Sequence, residues 1–142
     1  MSTIKFVRSE QRHFVSVAEQ CDSDPKIREI VERMPSGESQ GSSFVHHQGN
    51  SDEPQLFEVR IPPDTHVEPH AHEVDEIIVV TEGEAHFGKQ VYSAGSSVFI
   101  PKLTLYSFRS GPAGLTFLNF RPVHSGPENV IFKDEFLAHR HD

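Results

Sequence analysis

From about residue 42 onward, short apolar runs rich in Val, Ile and Phe alternate with clusters of Gly, Pro, Asn and Asp. These breaks recur roughly every eight to twelve residues, the rhythm of an all-β sandwich or barrel. The pattern predicts strands at 42–47, 55–61, 66–72, 75–81, 84–87, 90–93, 97–100, 104–109, 115–121 and 130–132. Between them stand Gly49-Asn50-Ser51-Asp52, Pro62-Pro63-Asp64, Glu82-Gly83, Gly88-Lys89, Ala94-Gly95 and Gly111-Pro112-Ala113-Gly114, all suited to turns. No internal repeat implies a second barrel.

Ahead of the strands one stretch changes period. Ile27, Ile30, Val31 and Met34 recur at three- and four-residue spacing, predicting a helix over 24–34 with Asp24 as N-cap, Pro25 in the first turn and Pro35 beyond its end. It is expected to be the one substantial helix, lying on a sheet or a second subunit. The predicted organisation is an N-terminal segment (1–40) packed on the barrel, the barrel itself (41–132), and a polar, solvated C-terminal tail (133–142).

At 142 residues the chain suits one domain, since a split would leave two marginal cores. Hydrophobic residues make up only 35%, but eleven Phe can fill a narrow barrel interior. A net charge of −8 and the lack of a Lys/Arg run argue against nucleic acid. No stretch reaches the roughly 18 apolar residues of a membrane span, and the N-terminus lacks the apolar core of a signal peptide, so a cytoplasmic protein is expected. The single Cys21 cannot form an intrachain disulfide or a thiolate-rich zinc site, so any metal must be held by nitrogen and oxygen.

His70 and His72 are one residue apart, which on a strand puts both imidazoles on one face. Glu76 follows four residues later, after Glu73-Val74-Asp75 have room to bend the chain. Two neutral imidazoles and one carboxylate are the ligand set of non-haem iron sites, and Mn, Ni, Co and Zn tolerate it. In a chain with ten histidines, an exposed acidic loop with chance histidines explains the spacing equally well.

The surrounding pattern resembles the cupin family. Its first motif has a glycine, five residues, His-x-His, three or four residues, Glu, six residues and Gly. This chain runs His70-Ala71-His72, three residues, Glu76, six residues and Gly83, with Asp64 in place of the leading glycine. The second motif opens Gly, five residues and Pro, as in Gly95 to Pro101, and then departs: its next glycine falls on Leu103, its histidine on Tyr106 and its Asn on Ser110. The resemblance spans about residues 56–121. It implies a jelly-roll barrel, commonly a homodimer, with a metal held by His70, His72 and Glu76. Tyr106 stands at the fourth-ligand position. A phenol, with its ordinary pKa near 10, ligates only if the metal strongly favours ionisation; otherwise it is a hydrogen-bonding partner, a substrate contact or an aromatic wall.

Strand parity groups Ile78 and Val80 with Glu76, and Thr104 and Phe108 with Tyr106, so an apolar, aromatic cavity is expected, with Phe57 and Phe99 as further wall candidates. His66 and His86 are weaker candidates for the site, and of His46 and His47 at most one can face inward. Arg60, Asn119 and Arg121 are candidates for anchoring a substrate carboxylate if they point inward. The expected function is a cupin enzyme using one divalent metal, iron foremost, on a small organic substrate by dioxygenase, isomerase or lyase chemistry. Tyr106 would be its catalytic side chain, and Phe57, Ile78, Phe99 and Phe108 would contact substrate. The competing expectation is a non-catalytic module that binds a small molecule or metal.

Overall fold

The computed structural model describes residues 3–32, 41–126 and 129–140. Among them run strands β1 (Val15–Ser16), β2 (Ser42–His47), β3 (Gln55–Ile61), β4 (His66–Ala71), β5 (Glu76–Phe87), β6 (Gln90–Ser93), β7 (Ser97–Ile100), β8 (Tyr106–Arg121) and β9 (Ile131–Phe132). The helices are α1 (Val17–Ser23), α2 (Pro25–Glu32) and α3 (Lys133–Arg140). No described helix is long and apolar enough to cross a membrane.

All strands join one antiparallel sheet of jelly-roll type, in the order β1-β2-β3-β8-β4-β9, with β5 branching from β8 and carrying β6 and β7. The ladder does not close into a ring among the described residues, so the barrel is held shut by side chains. Ile78, Val80, Ile100, Phe108, Leu115 and Phe117 fill its interior, each no more than 6% exposed. Burial of each such side chain contributes about 1.5–3 kcal/mol, and Phe117→Ala here would cost about 3–5 kcal/mol.

The two longest strands are each longer than the sequence implies. Glu82-Gly83 and Gly111 to Gly114, expected as turns, lie within β5 and β8 as irregularities in their pairing. Gly83 and Gly114 have φ of 75° and 88°, which only glycine adopts readily, so the backbone bends and the sheet continues. The bends meet each other: a Cβ on Gly83 would collide with the Gly114 carbonyl. Inward parity changes at both. It runs through Glu76, Ile78 and Val80 before the β5 bend and Ala85 after it, and through Phe108 and Ser110 before the β8 bend and Leu115, Phe117, Asn119 and Arg121 after it.

The helical regions differ from expectation. The predicted 24–34 helix is found as Pro25–Glu32, and its turn begins on the Asp24 carbonyl, which accepts from the N–H of Ile27 and Arg28. Met34 and Pro35 lie outside the described residues. A further helix precedes it, α1, capped by the Ser16 hydroxyl accepting from Glu19 N–H at 3.2 Å. In the C-terminal segment Lys133–Arg140 form α3, mostly exposed, whose first turn carries Asp134 and Glu135, the charge favoured at a helix N-terminus, and which lies beside β4.

The N-terminal segment is fastened to the outer face of β2 and β3. β1 extends the sheet, Arg60 stacks on the Phe14 ring at 3.7 Å, and Arg12 grips Glu58 through both carboxylate oxygens at 3.1 and 2.9 Å.

Candidate metal centre

His70, His72, Glu76 and Tyr106 come together at one end of the barrel. Tyr106 starts β8 directly opposite His70 of β4, and Glu76 starts β5 opposite Ile100. His72 follows β4, where its carbonyl accepts from Leu103 N–H at 2.8 Å. The Leu103 backbone adopts the left-handed conformation at φ 56° to make this turn.

Glu76 is the organising group. It is 1% exposed, and each carboxylate oxygen faces a different environment. Oε2 accepts from Asn119 Nδ2 at 2.9 Å and from Arg121 Nε and Nη2, each at 3.2 Å. Oε1 accepts from the Tyr106 hydroxyl at 2.9 Å and lies 3.6 Å from His72 Nε2. Arg121 is further fixed by donating Nη1–H to the Ser125 carbonyl at 2.7 Å, with its guanidinium 4.9 Å from the Phe57 ring centroid.

Burial disfavours the charged form of both imidazoles. Burial, opposed by the Glu68 carbonyl and Glu76, holds His70 below its usual pKa. Burial, with Arg121 and His70 adding to it, brings His72 down to about 2. His70 Nδ1 sits 2.7 Å from the Glu68 carbonyl and donates its proton there, which leaves Nε2 as a lone pair 3.1 Å from the Tyr106 oxygen. Tyr106 has one proton, and it goes to Glu76. Two acceptors therefore face each other across that gap. Burial, with the Glu76 charge, pushes the phenol well above its usual value, so it remains protonated.

In donor type, though not in placement, this set suits a divalent cation. His70 Nε2 and Glu76 Oε1 lie on either side of the Tyr106 hydroxyl, at 3.1 and 2.9 Å, and His72 Nε2 lies 3.6 Å from Glu76 Oε1. Bonds of about 2.0–2.2 Å place adjacent ligands roughly 3 Å apart. The Nδ1–H of His70 to a carbonyl is the outer contact that fixes a ligating imidazole. The Tyr106 hydroxyl stands between His70 and Glu76, and no three His, Cys, Asp or Glu side chains among the described residues are placed to hold a metal ion.

The other sequence candidates divide. Phe57 is half-buried beneath Arg121, while Ile78 and Phe108 belong to the packed core, Phe108 stacking on Tyr106 at 6.3 Å. Phe99 is not a wall residue: it is 60% exposed, because on β7 its neighbours Val98 and Ile100 take the inward parity. Thr104 precedes β8 and is also exposed. His66 is exposed beside Glu68, and His86 points to the outer face beside Glu84 at 3.5 Å, since Ala85 takes the inward position. Arg60 lies outside. Asn119 and Arg121 do point inward, but the carboxylate they hold is that of Glu76. Sequence reasoning missed Gln55 and Ser125, both buried, whose contact through Ser125 N–H and Gln55 Oε1 at 3.4 Å fastens the loop after β8 over this end.

No protein-family model and no curated protein matches the chain. Solved structures do. KdgF from Halomonas sp. aligns with a TM-score of 0.60 at 17% identity over 87% of this chain and 97% of that one. An RmlC-like cupin from Shewanella frigidimarina aligns with a TM-score of 0.59 at 18% identity over 85% and 93%. The polyketide cyclase RemF from Streptomyces resistomycificus aligns with a TM-score of 0.54 at 22% identity over 70% and 78%. The chain shares the fold of these proteins, the jelly-roll barrel that its motifs imply.

Proposed function

We propose that the chain is a metal-dependent cupin enzyme acting on a small organic molecule, its metal held by His70, His72 and Glu76, with iron the first expectation. The observation that carries this reading is the meeting of both imidazoles at Glu76 Oε1, His72 Nε2 at 3.6 Å and His70 through the Tyr106 hydroxyl. The metal would supply Lewis acidity or oxygen activation.

The chain's own groups supply the rest. Tyr106 holds a proton at its hydroxyl against ionisation and donates it to Glu76 Oε1, within reach of a bound molecule at the same place. Arg121 and Asn119 hold Glu76 Oε2 and so fix the direction in which Oε1 points. The aromatic layer of Phe108, Phe87 and Phe117 behind Tyr106 excludes water from that side. RemF, of the same fold, is a polyketide cyclase, which supports an organic substrate here. The non-catalytic alternative draws on a different observation, that Arg121 already neutralises Glu76 without an added ion.

Metal analysis of untagged protein is the test. About one divalent ion per chain is expected in the parent and in Tyr106→Phe, and less than about one fifth of that in His72→Ala, since each ligand supplies one of few bonds. With iron in air the parent should lack a phenolate charge-transfer band. Full occupancy in His72→Ala would sink the assignment.

A further inference from the structure

We propose that this chain pairs with a second copy of itself through the outer face of β7, β5 and β8, each copy's Ile4 and Phe6 covering the other's Phe99, Ile77 and Phe120. The proposal is independent of the metal reading. Ile77 pairs in register with Phe99 on one side and Phe120 on the other, so three large apolar side chains form one outward row across three strands. Ile77, Phe99 and Phe120 are 40%, 60% and 38% exposed. The next outward row, Ser97, Val79 and Leu118, carries no charge either. Single exposed apolar residues are ordinary on a protein surface, but a contiguous uncharged patch marks a contact.

The N-terminal arm carries the complement. Lys5 is tied to Glu53 at 2.9 Å, just ahead of β3, whose Leu56 pairs with Phe120, so the arm reaches the same end of the sheet as the row. Its Ile4 and Phe6 are 82% and 83% exposed and do not cover the row in their own copy. One chain thus holds both halves of an apolar contact, which a twofold axis forms twice. At about 150–200 Å² for a fully exposed large side chain, these five present roughly 450–600 Å² of apolar surface per copy. A stable interface buries about 800 Å² per partner, roughly 65% of it apolar in homodimers, which is the same amount. Charge favours this face: copies carrying −8 each repel, and they meet closely only over neutral surface. The contact backs the candidate site, since Ile77 follows Glu76 and Phe120 stands between Asn119 and Arg121.

Sedimentation equilibrium of the full chain is the test. The parent is expected to reach twice its 16.0 kDa mass by about 10 μM. Phe99→Ser and Phe6→Ser, both at exposed positions, should each raise the dimer's Kd at least about thirtyfold, because the twofold axis counts each loss twice. Val91→Ser, 50% exposed on β6 and off this face, should leave it within about twofold. A mixture of the Phe99→Ser and Phe6→Ser variants should associate at least about fivefold more tightly than either alone, since the mixed pair keeps one arm-to-face contact intact. A parent still monomeric at about 100 μM, whether its arm folds onto its own sheet or a different protein covers the face, overturns the proposal. So does a dimer whose Kd is unchanged in Phe99→Ser or in Phe6→Ser, or a mixture no tighter than the separate variants.

Discussion

Two buried carboxylates, one on each side of the same sheet, are each gripped by an arginine and approached by a histidine, yet they have different consequences. On the outer face Glu58 takes Arg12 through both oxygens and His46 Nε2 at 2.9 Å, and its acceptors are satisfied. On the inner face Glu76 takes Arg121 through one oxygen only, and its other oxygen joins two imidazoles and a phenol that hold more lone pairs than protons. Arg12 is 38% exposed and reaches in from the N-terminal segment, whereas Arg121 is 8% exposed and comes from the middle of the sheet. The outer cluster is a fastening for the N-terminal segment. In the inner one, lone pairs outnumber protons.

Removing each carboxylate should separate the two most sharply. Glu76→Ala leaves Arg121 buried without its counter-charge and is expected to cost the metal-free protein about 3–5 kcal/mol. Glu58→Ala lets Arg12 turn to water and is expected to cost about 1–2 kcal/mol. Urea unfolding of both variants measures this, and equal losses would erase the distinction.

Acid should act on the two regions in different pH ranges. His70 and His72 stay neutral in the fold, so below their unfolded pKa near 6.5 only the unfolded chain takes up the proton. Stability then falls with pH, by up to about 1.4 kcal/mol per unit for each histidine. Burial pushes Glu58 up, but hydrogen bonds from His46 and Arg12 outweigh it and leave the carboxyl below its ordinary range. Its contribution is complete above the unfolded carboxylate pKa and is lost as pH falls through the lower folded value. Stability between pH 4 and 7 should therefore flatten in His72→Asn and keep its slope in Glu58→Gln.

The smallest effect is expected at Arg12→Ala, about 1 kcal/mol or less, because half-exposed ion pairs contribute little. Its signature is local: limited proteolysis should quicken in residues 9–16 while metal content is unchanged. Loss of metal would join the two regions and remove the contrast.

Much of this was legible because β-structure writes itself in alternation. β2, β3, β6 and β7 match their apolar runs residue for residue, and β4 misses by one. The His-x-His spacing and Glu76 foretold the residues that meet at one end of the barrel, and Tyr106, where the motif departs, stands between two of them. What local pattern did not reveal was how strands continue through glycine. Glu82-Gly83 and Gly111 to Gly114 have turn composition, and only the meeting of the two bends makes them pairing irregularities. The change of parity at the second bend hid which face Asn119 and Arg121 take. At Phe99 a large apolar side chain takes the outward position of the alternation, so its hydrophobicity does not report its face. Ser16-Val17-Ala18-Glu19 carries a helix-start signature, and Asp134-Glu135 suits a first turn, but both helices are short and weakly periodic.

The sixteen residues of β8 limit how the chain can change in length during evolution. Tyr106 and Arg121 stand at its two ends and both serve Glu76. A one-residue insertion or deletion between them turns every later side chain to the opposite face and carries Asn119 and Arg121 out of the site. A two-residue change restores the face but slides the strand by roughly 7 Å, too far for either to reach Glu76. The segment between β2 and β3 carries no such restriction. Descendants of this sequence should vary in length there while conserving the distance from Tyr106 to Arg121.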